Sequence, residues 1–238
     1  MPTTHVGGPL RIGDVAQRPY PDFGAETSPY FTYNIVPATL SATNFRAAAS
    51  IAGAGSLVLT ATAGVTETRV NGQTRFVMDV PRNLRFTSAG NDTGITFTVS
   101  GFDVYGAPMT ETITGANAAI ASGLKAFLSV LTITASGASA GNVSIGTGDV
   151  FGLPYFVRDA GMIIKAGWDN TLLQNAGTFA AAVSTAPSAT TGDVRGTFLP
   201  TSASNGTRRL VLTFFIENFD VANHVTTTGA SLYGRVQF

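Results

Sequence analysis

Residues 95–114 read Ile-Thr-Phe-Thr-Val-Ser-Gly-Phe-Asp-Val-Tyr-Gly-Ala-Pro-Met-Thr-Glu-Thr-Ile-Thr. Ile95, Phe97 and Val99 alternate with Thr96, Thr98 and Ser100, the period of two that a strand with one buried face requires. Asp103-Val-Tyr-Gly-Ala-Pro supplies turn residues, and Met109–Thr114 alternates again, so the segment reads as a hairpin with an antiparallel return. In the return strand Glu111 falls on the apolar face with Met109 and Ile113. A carboxylate there is costly unless it is paired. Three arrangements would satisfy it. A partner surface covers the face, an arginine such as Arg82 or Arg85 meets the carboxylate, or Glu111 is catalytic, although no second acid lies near it in sequence.

The same texture spreads outward. Leu57–Ala61 and Arg75–Val80 are strand-like around Asn71-Gly72, a strong hairpin signal, and Pro81 is expected to end the second of them. Leu84–Thr87, Leu124–Ala135 and Asn142–Ile145 follow, with a turn signal every ten or so residues. That spacing predicts an all-β fold with an antiparallel β-sandwich or jelly-roll-like core. Residues 38–54 are ambiguous, and Ala47–Ala49 suit a short helix. Beyond Gly152 the pattern changes. Tyr155–Val157 and Met162–Lys165 read as strands, Trp168–Asn175 as a single helical turn, and residues 176–206 as a long loop or weak strands. Arg209–Glu217 has no polar face, so burial on both sides is expected, and Ser231–Phe238 reads as a closing strand. The organisation expected is an extended arm over 1–37, a β-sandwich domain over 38–152, and a second β region over 153–238, continuous with the first or separate.

Residues 1–37 hold six prolines among Tyr20, Phe23, Tyr30, Phe31 and Tyr33. Proline at that spacing forbids a regular helix and most strand pairing, yet a disordered tail would be poor in aromatics. These five rings, with Glu111, are therefore the candidate interface residues. They pack on a neighbouring subunit or strap the chain's own core. The start, MPTTHVGGPLRIGD, has no basic and apolar run of the signal-peptide kind, and no stretch is long and apolar enough for a membrane helix.

Of 238 residues, 44% are hydrophobic but only 12% charged, against about 25% in ordinary globular proteins. Thr alone supplies 33 residues, and Arg outnumbers Lys 12 to 2. A surface filled with Thr, Ser, Asn and Gly desolvates cheaply, and charge depletion marks interface cores. A net charge of zero argues against a nucleic-acid partner, which needs a basic patch. There is no cysteine, so there is no disulfide framework, thiolate metal site or Cys nucleophile. This fits assembly in a reducing cytoplasm.

One string occurs twice, TGDVFG at 147–152 and TGDVRG at 191–196, followed by Pro154 and Pro200. It lacks the lysine of a phosphate loop, and residues 146–151 lack the third glycine of a dinucleotide fingerprint. The acid density of a calcium loop is missing as well. Asp149 and Asp193 therefore read as turn caps, with contact to a neighbouring subunit the one functional role left to an exposed loop. His5 and His224 are the only histidines, with no Gly-x-Ser-x-Gly elbow to complete a triad. Trp168 and the tyrosines read as core or interface anchors. No catalytic, metal or cofactor site is expected, and the chain reads as a non-enzyme.

The stretch Val80–Gly115 resembles a segment of structural proteins of tailed bacteriophages, on its Arg-Asn opening, its Asp-Thr-Gly turn, and its Gly-x-Asp-x-x-Gly-x-Pro hairpin followed by Thr-Glu-Thr. Phe127–Ile133, GNVSIGTGDVFGLPYFV, GDVRGTFLP, Asn205-Gly206 and the terminal LYGRVQF are similar to the same group, so the resemblance spans residues 80–238. It implies a virion structural protein without enzymatic activity, either a head cement or decoration protein or a minor head or tail component. The expected partners are the major capsid protein and further copies of itself, as dimer or trimer, with no nucleic acid and no membrane. The expected location is the head exterior, after assembly in the host cytoplasm. The alternative is a tail-associated or host-facing module that binds a glycan or receptor.

Overall fold

The computed structural model describes residues 30–169, 177–183 and 186–215. Among them the chain is all-β, every ladder is antiparallel, and a 3-10 turn at Ala160–Met162 is the only helical piece. The strands are β1 (Tyr30–Ile35), β2 (Arg46–Ala49), β3 (Gly55–Ser56), β4 (Val65–Val70), β5 (Gln73–Ser88), β6 (Thr96–Phe102) and β7 (Pro108–Thr114). They continue as β8 (Ile120–Ser122), β9 (Phe127–Ala135), β10 (Val143–Gly152), β11 (Ile163–Trp168), β12 (Gly177–Ala180), β13 (Thr197–Pro200) and β14 (Leu210–Phe215). A sheet of 11 strands follows the order β12-β13-β10-β5-β9-β6-β7, with β2, β3, β4 and β8 paired off that path. A second sheet has the order β1-β14-β11.

The 95–114 hairpin forms as its alternation predicts. Phe97 pairs Ile113, Val99 pairs Glu111 and Gly101 pairs Met109 on the inner face, while Thr96, Thr98 and Ser100 meet Thr114, Thr112 and Thr110 on the outer. Asp103 closes the turn by accepting the N–H groups of Tyr105 and Ala107, both at 2.8 Å. Asn71-Gly72 also turns as expected, with φ of 51° and 79°, the left-handed pair a two-residue hairpin needs.

Pro81 does not end a strand, because β5 runs straight through it for 16 residues. One edge of β5 is covered first by β4 and then by β10, the other first by β9 and then by β8. Val80 and Pro81 fall where these partners change and have no register partner in any of the four ladders. A residue without an N–H is tolerated at such a gap. Three further expectations are corrected. The strand before Asn71-Gly72 is β4 and not 57–61, Ala47–Ala49 lie in strand β2, and Tyr155–Val157 form no strand.

Among the described residues, two hydrophobic clusters form the core. The first gathers Phe45, Phe76, Leu84, Phe86, Phe97, Val99, Met109, Phe127, Ile133 and Ile145, with Phe86 and Phe97 stacked at 4.6 Å. The second lies between the β1-β14-β11 sheet and the β12-β13-β10 end of the large one, and includes Val80, Phe151, Leu153, Met162, Trp168, Phe198, Leu212 and Phe214. Two sheets face each other across it, as in a sandwich. β14 is central in its sheet, with Leu210, Val211, Leu212 and Phe214 buried, as its unbroken apolar run predicts.

Candidate functional site

Of the candidate interface residues, Tyr20 and Phe23 lie outside the described residues, as do most of the expected helical turn at 168–175, the closing strand 231–238, and both histidines. Tyr30, Phe31 and Tyr33 belong to β1, whose residues pair in register with β14. Phe31 meets the Tyr155 ring at 4.5 Å, and Phe31, Tyr33 and Ile35 pack against the second core. This part of the proline-rich segment is thus a strand docked on its own chain. Burial pushes the Tyr33 hydroxyl up to about 12, helped by Tyr105 and Asp79.

Glu111 is buried as its position predicts, but neither Arg82 nor Arg85 meets it. Its Oε1 accepts the backbone N–H groups of Leu124 and Lys125, in the link between β8 and β9. Lys125 is fully buried, and neither its Nζ nor Glu111 Oε2 has a hydrogen-bond partner among the described residues. Burial raises the Glu111 carboxyl from 4.5 to about 7 against the pull of those two N–H groups and of the Lys125 charge. Burial also lowers the Lys125 amine, with Glu111 and Asp193 opposing.

Arg82 serves Asp149. Its guanidinium also donates to the Gly148 carbonyl at 2.7 Å and the Ala38 carbonyl at 3.0 Å, while Ser204 offers Asp149 its N–H and hydroxyl, each at 2.7 Å. Here the turn expected at the first Thr-Gly-Asp-Val-x-Gly copy is corrected. Residues 147–152 lie in β10, whose register with β5 slips so that Gly148, Asp149 and Val150 bulge opposite Asn83. Val150 donates its N–H to the Asn83 side chain at 3.1 Å, and a Cβ on Gly148 would stand 2.3 Å from that same oxygen. The bulge re-aims the carboxylate inward, as bulges do.

The second copy is a turn, with Asp193 as its cap. Its Oδ1 accepts the Arg195 N–H at 2.9 Å, its carbonyl accepts the Gly196 N–H at 3.3 Å, and Gly196 has a φ of 92°. Asp193 is buried, so neither copy is the exposed loop the sequence left open. Burial raises the Asp193 carboxyl, with Arg195 the main opposing charge. Arg195 itself turns to Asp103 at 2.8 Å and locks this turn to the 95–114 hairpin.

The exterior is built from what remains. On the outer side of β6, β7 and β9, Thr112, Thr98 and Thr134 line up in one row, Thr110, Ser100 and Thr132 in the next, and Thr114 pairs Thr96 beyond. Neither β6 nor β7 places a charge on this side. Arg75 borders the face, its guanidinium 3.8 Å over the Phe102 ring. Among the described residues no group of three or more His, Cys, Asp or Glu is placed to hold a metal ion. Compared with known proteins, the chain matches no protein-family model, no curated protein and no solved structure.

Proposed function

We propose that this chain is a structural protein of a tailed-bacteriophage virion, a cement or decoration protein that binds the assembled head shell from outside. The observation that carries the reading is where the charges go. Among the described residues eight charged side chains are buried: Arg82, Asp92, Asp103, Glu111, Lys125, Asp149, Asp193 and Arg195. A composition already poor in charge is poorer still at its surface, where hydroxyl rows stand beside isolated apolar side chains such as Val58 and Leu124. Such a surface loses little on desolvation and suits a broad protein contact. The partners are the major capsid protein and further copies of this chain, met after assembly in the host cytoplasm. Binding only the closed shell stabilises it by mass action.

Titrating the purified protein onto undecorated shells and heating them tests this. The shell's melting temperature is expected to rise, and Thr98→Lys with Thr134→Lys is expected to remove the rise while far-UV circular dichroism stays unchanged. No rise with the wild-type protein overturns the reading. Binding on a glycan array together with a tail position in the particle would move the assignment to a host-facing module.

A further inference from the structure

Among the described residues β4 is paired on one side only. Its ladder to β5 runs from Val65↔Met78 to Val70↔Gln73, and no other strand joins it. Backbone groups along an antiparallel strand point alternately to its two sides. The two-residue turn at Asn71-Gly72 makes Val70 and Gln73 a hydrogen-bonded pair, and the Asp79 N–H reaches the Gly64 carbonyl at 3.1 Å. The even-numbered residues of β4 therefore serve β5. The odd-numbered ones face away from it, and the Val65 N–H accordingly turns back to the Thr62 carbonyl at 2.9 Å. Glu67 and Arg69 thus present their N–H and C=O groups at an open edge, with no partner among the described residues.

The side chains of this edge carry a second signal. Thr66, Glu67, Thr68 and Arg69 are all exposed, and neither charge takes part in an ion pair among the described residues. An open edge is a template for another strand, and charges placed on it ordinarily keep strands off. Here the two charges are opposite in sign and flank Thr68. When a second copy is laid antiparallel about a two-fold axis at Thr68, Glu67 falls opposite the second copy's Arg69, and Arg69 opposite its Glu67. Both become hydrogen-bonded pairs, because these residues' backbone groups are the ones that face outward. An axis at Glu67 or at Arg69 would set like charges against each other. A slip of one residue would put outward-facing groups opposite inward-facing ones.

We propose that β4 is a homodimerisation edge, which joins two copies of this chain through an antiparallel β4–β4 pair centred on Thr68. The contact is isologous, the same patch serving both copies. It carries the β7-β6-β9-β5-β4 run of one molecule into the same strands of the other as one continuous sheet. Backbone hydrogen bonds hold the added strand, and two cross-strand ion pairs fix its register. β7, the opposite edge of that run, is less open, because Thr112 gives its N–H to the Ala189 carbonyl at 2.7 Å. The pairing gives the self-association proposed above a surface, but it needs no shell and does not rest on the virion reading.

Sedimentation equilibrium of the full-length protein, without shells and over a range of concentrations, tests the dimer. The wild-type chain is expected to show a monomer–dimer equilibrium. Glu67→Arg or Arg69→Glu alone is expected to weaken association at least about ten-fold, with far-UV circular dichroism unchanged. Mixing the two single variants is expected to restore association as a heterodimer, and combining both changes in one chain to restore the homodimer. Thr68→Cys, in a chain with no other cysteine, reads the register. Facing Cα atoms at such a position lie about 4.5 Å apart, within reach of a disulfide. This variant is expected to oxidise to a covalent dimer, whereas Thr66→Cys, which would face the second copy's Val70, is not. A wild-type protein that stays monomeric at its highest soluble concentration overturns the proposal. So does a dimer that both single charge reversals leave intact.

Discussion

Glu111 makes the stability of this protein depend on pH in an unusual direction. In the unfolded chain its carboxyl releases its proton near 4.5, and in the folded chain near 7. Between those values the folded state holds the extra proton, so stability falls as pH rises through that window. The shift corresponds to about 3 kcal/mol. Urea titrations from pH 4.5 to 7.5 are expected to show this loss in the wild-type protein and a flatter profile in Glu111→Gln. Arg82 behaves in the opposite sense, as a residue whose removal strands a partner. Arg82→Leu leaves the Asp149 carboxylate buried without its cation and is expected to cost about 3–5 kcal/mol. Adding Asp149→Leu is expected to restore much of that loss in the same urea assay. The period-two pattern placed Glu111 on the core face from sequence alone. Its neighbours were not legible, because Leu124 and Lys125 meet it through backbone N–H groups, which no side-chain pattern announces. Lys125 carried one signal, its rarity in an arginine-rich chain.

Elements were readable where local chemistry dictates them and unreadable where tertiary pairing does. Asn71-Gly72 turns because its residues tolerate the left-handed region. The space beside Gly72 is open, so Gly72→Val is expected to cost only the backbone strain, about 1–2 kcal/mol, measurable by thermal denaturation. Pro81 misled because proline forbids only a ladder hydrogen bond, and β5 changes partners at that residue. The paired Thr-Gly-Asp-Val-x-Gly strings show the same limit. Identical residues form a bulge in β10, where Asn83 and Arg82 grip the backbone, and a turn before β13, where Asp193 caps its own chain. The residue after the first copy reaches the end of the second, Leu153 donating its N–H to the Gly196 carbonyl at 3.2 Å.

At the scale of the whole molecule, the two cores share strands. Val80 of β5 and Phe151 of β10 belong to the second cluster, while Leu84, Phe86, Val143 and Ile145 of the same two strands belong to the first. Neither cluster can come apart without disturbing β5 and β10. Phe198→Ala, deep in the second core, is therefore expected to destabilise the fold by about 3–5 kcal/mol within one unfolding transition and not to split it. A single calorimetric peak checks this, and a second peak would mean the cores melt separately.

The pairing of β1 with β14 has a consequence for how the chain is made. Tyr30 sits opposite Phe215, so the first described strand waits for the last one before it has a neighbour. Contacts so distant along the chain form late. On the ribosome the first core, drawn from residues 45–145, has all its strands long before the second can close. A product terminated before residue 210 would present one side of the second core bare. The β1–β14 clasp thus doubles as a check on length, passed only by a polypeptide translated through β14.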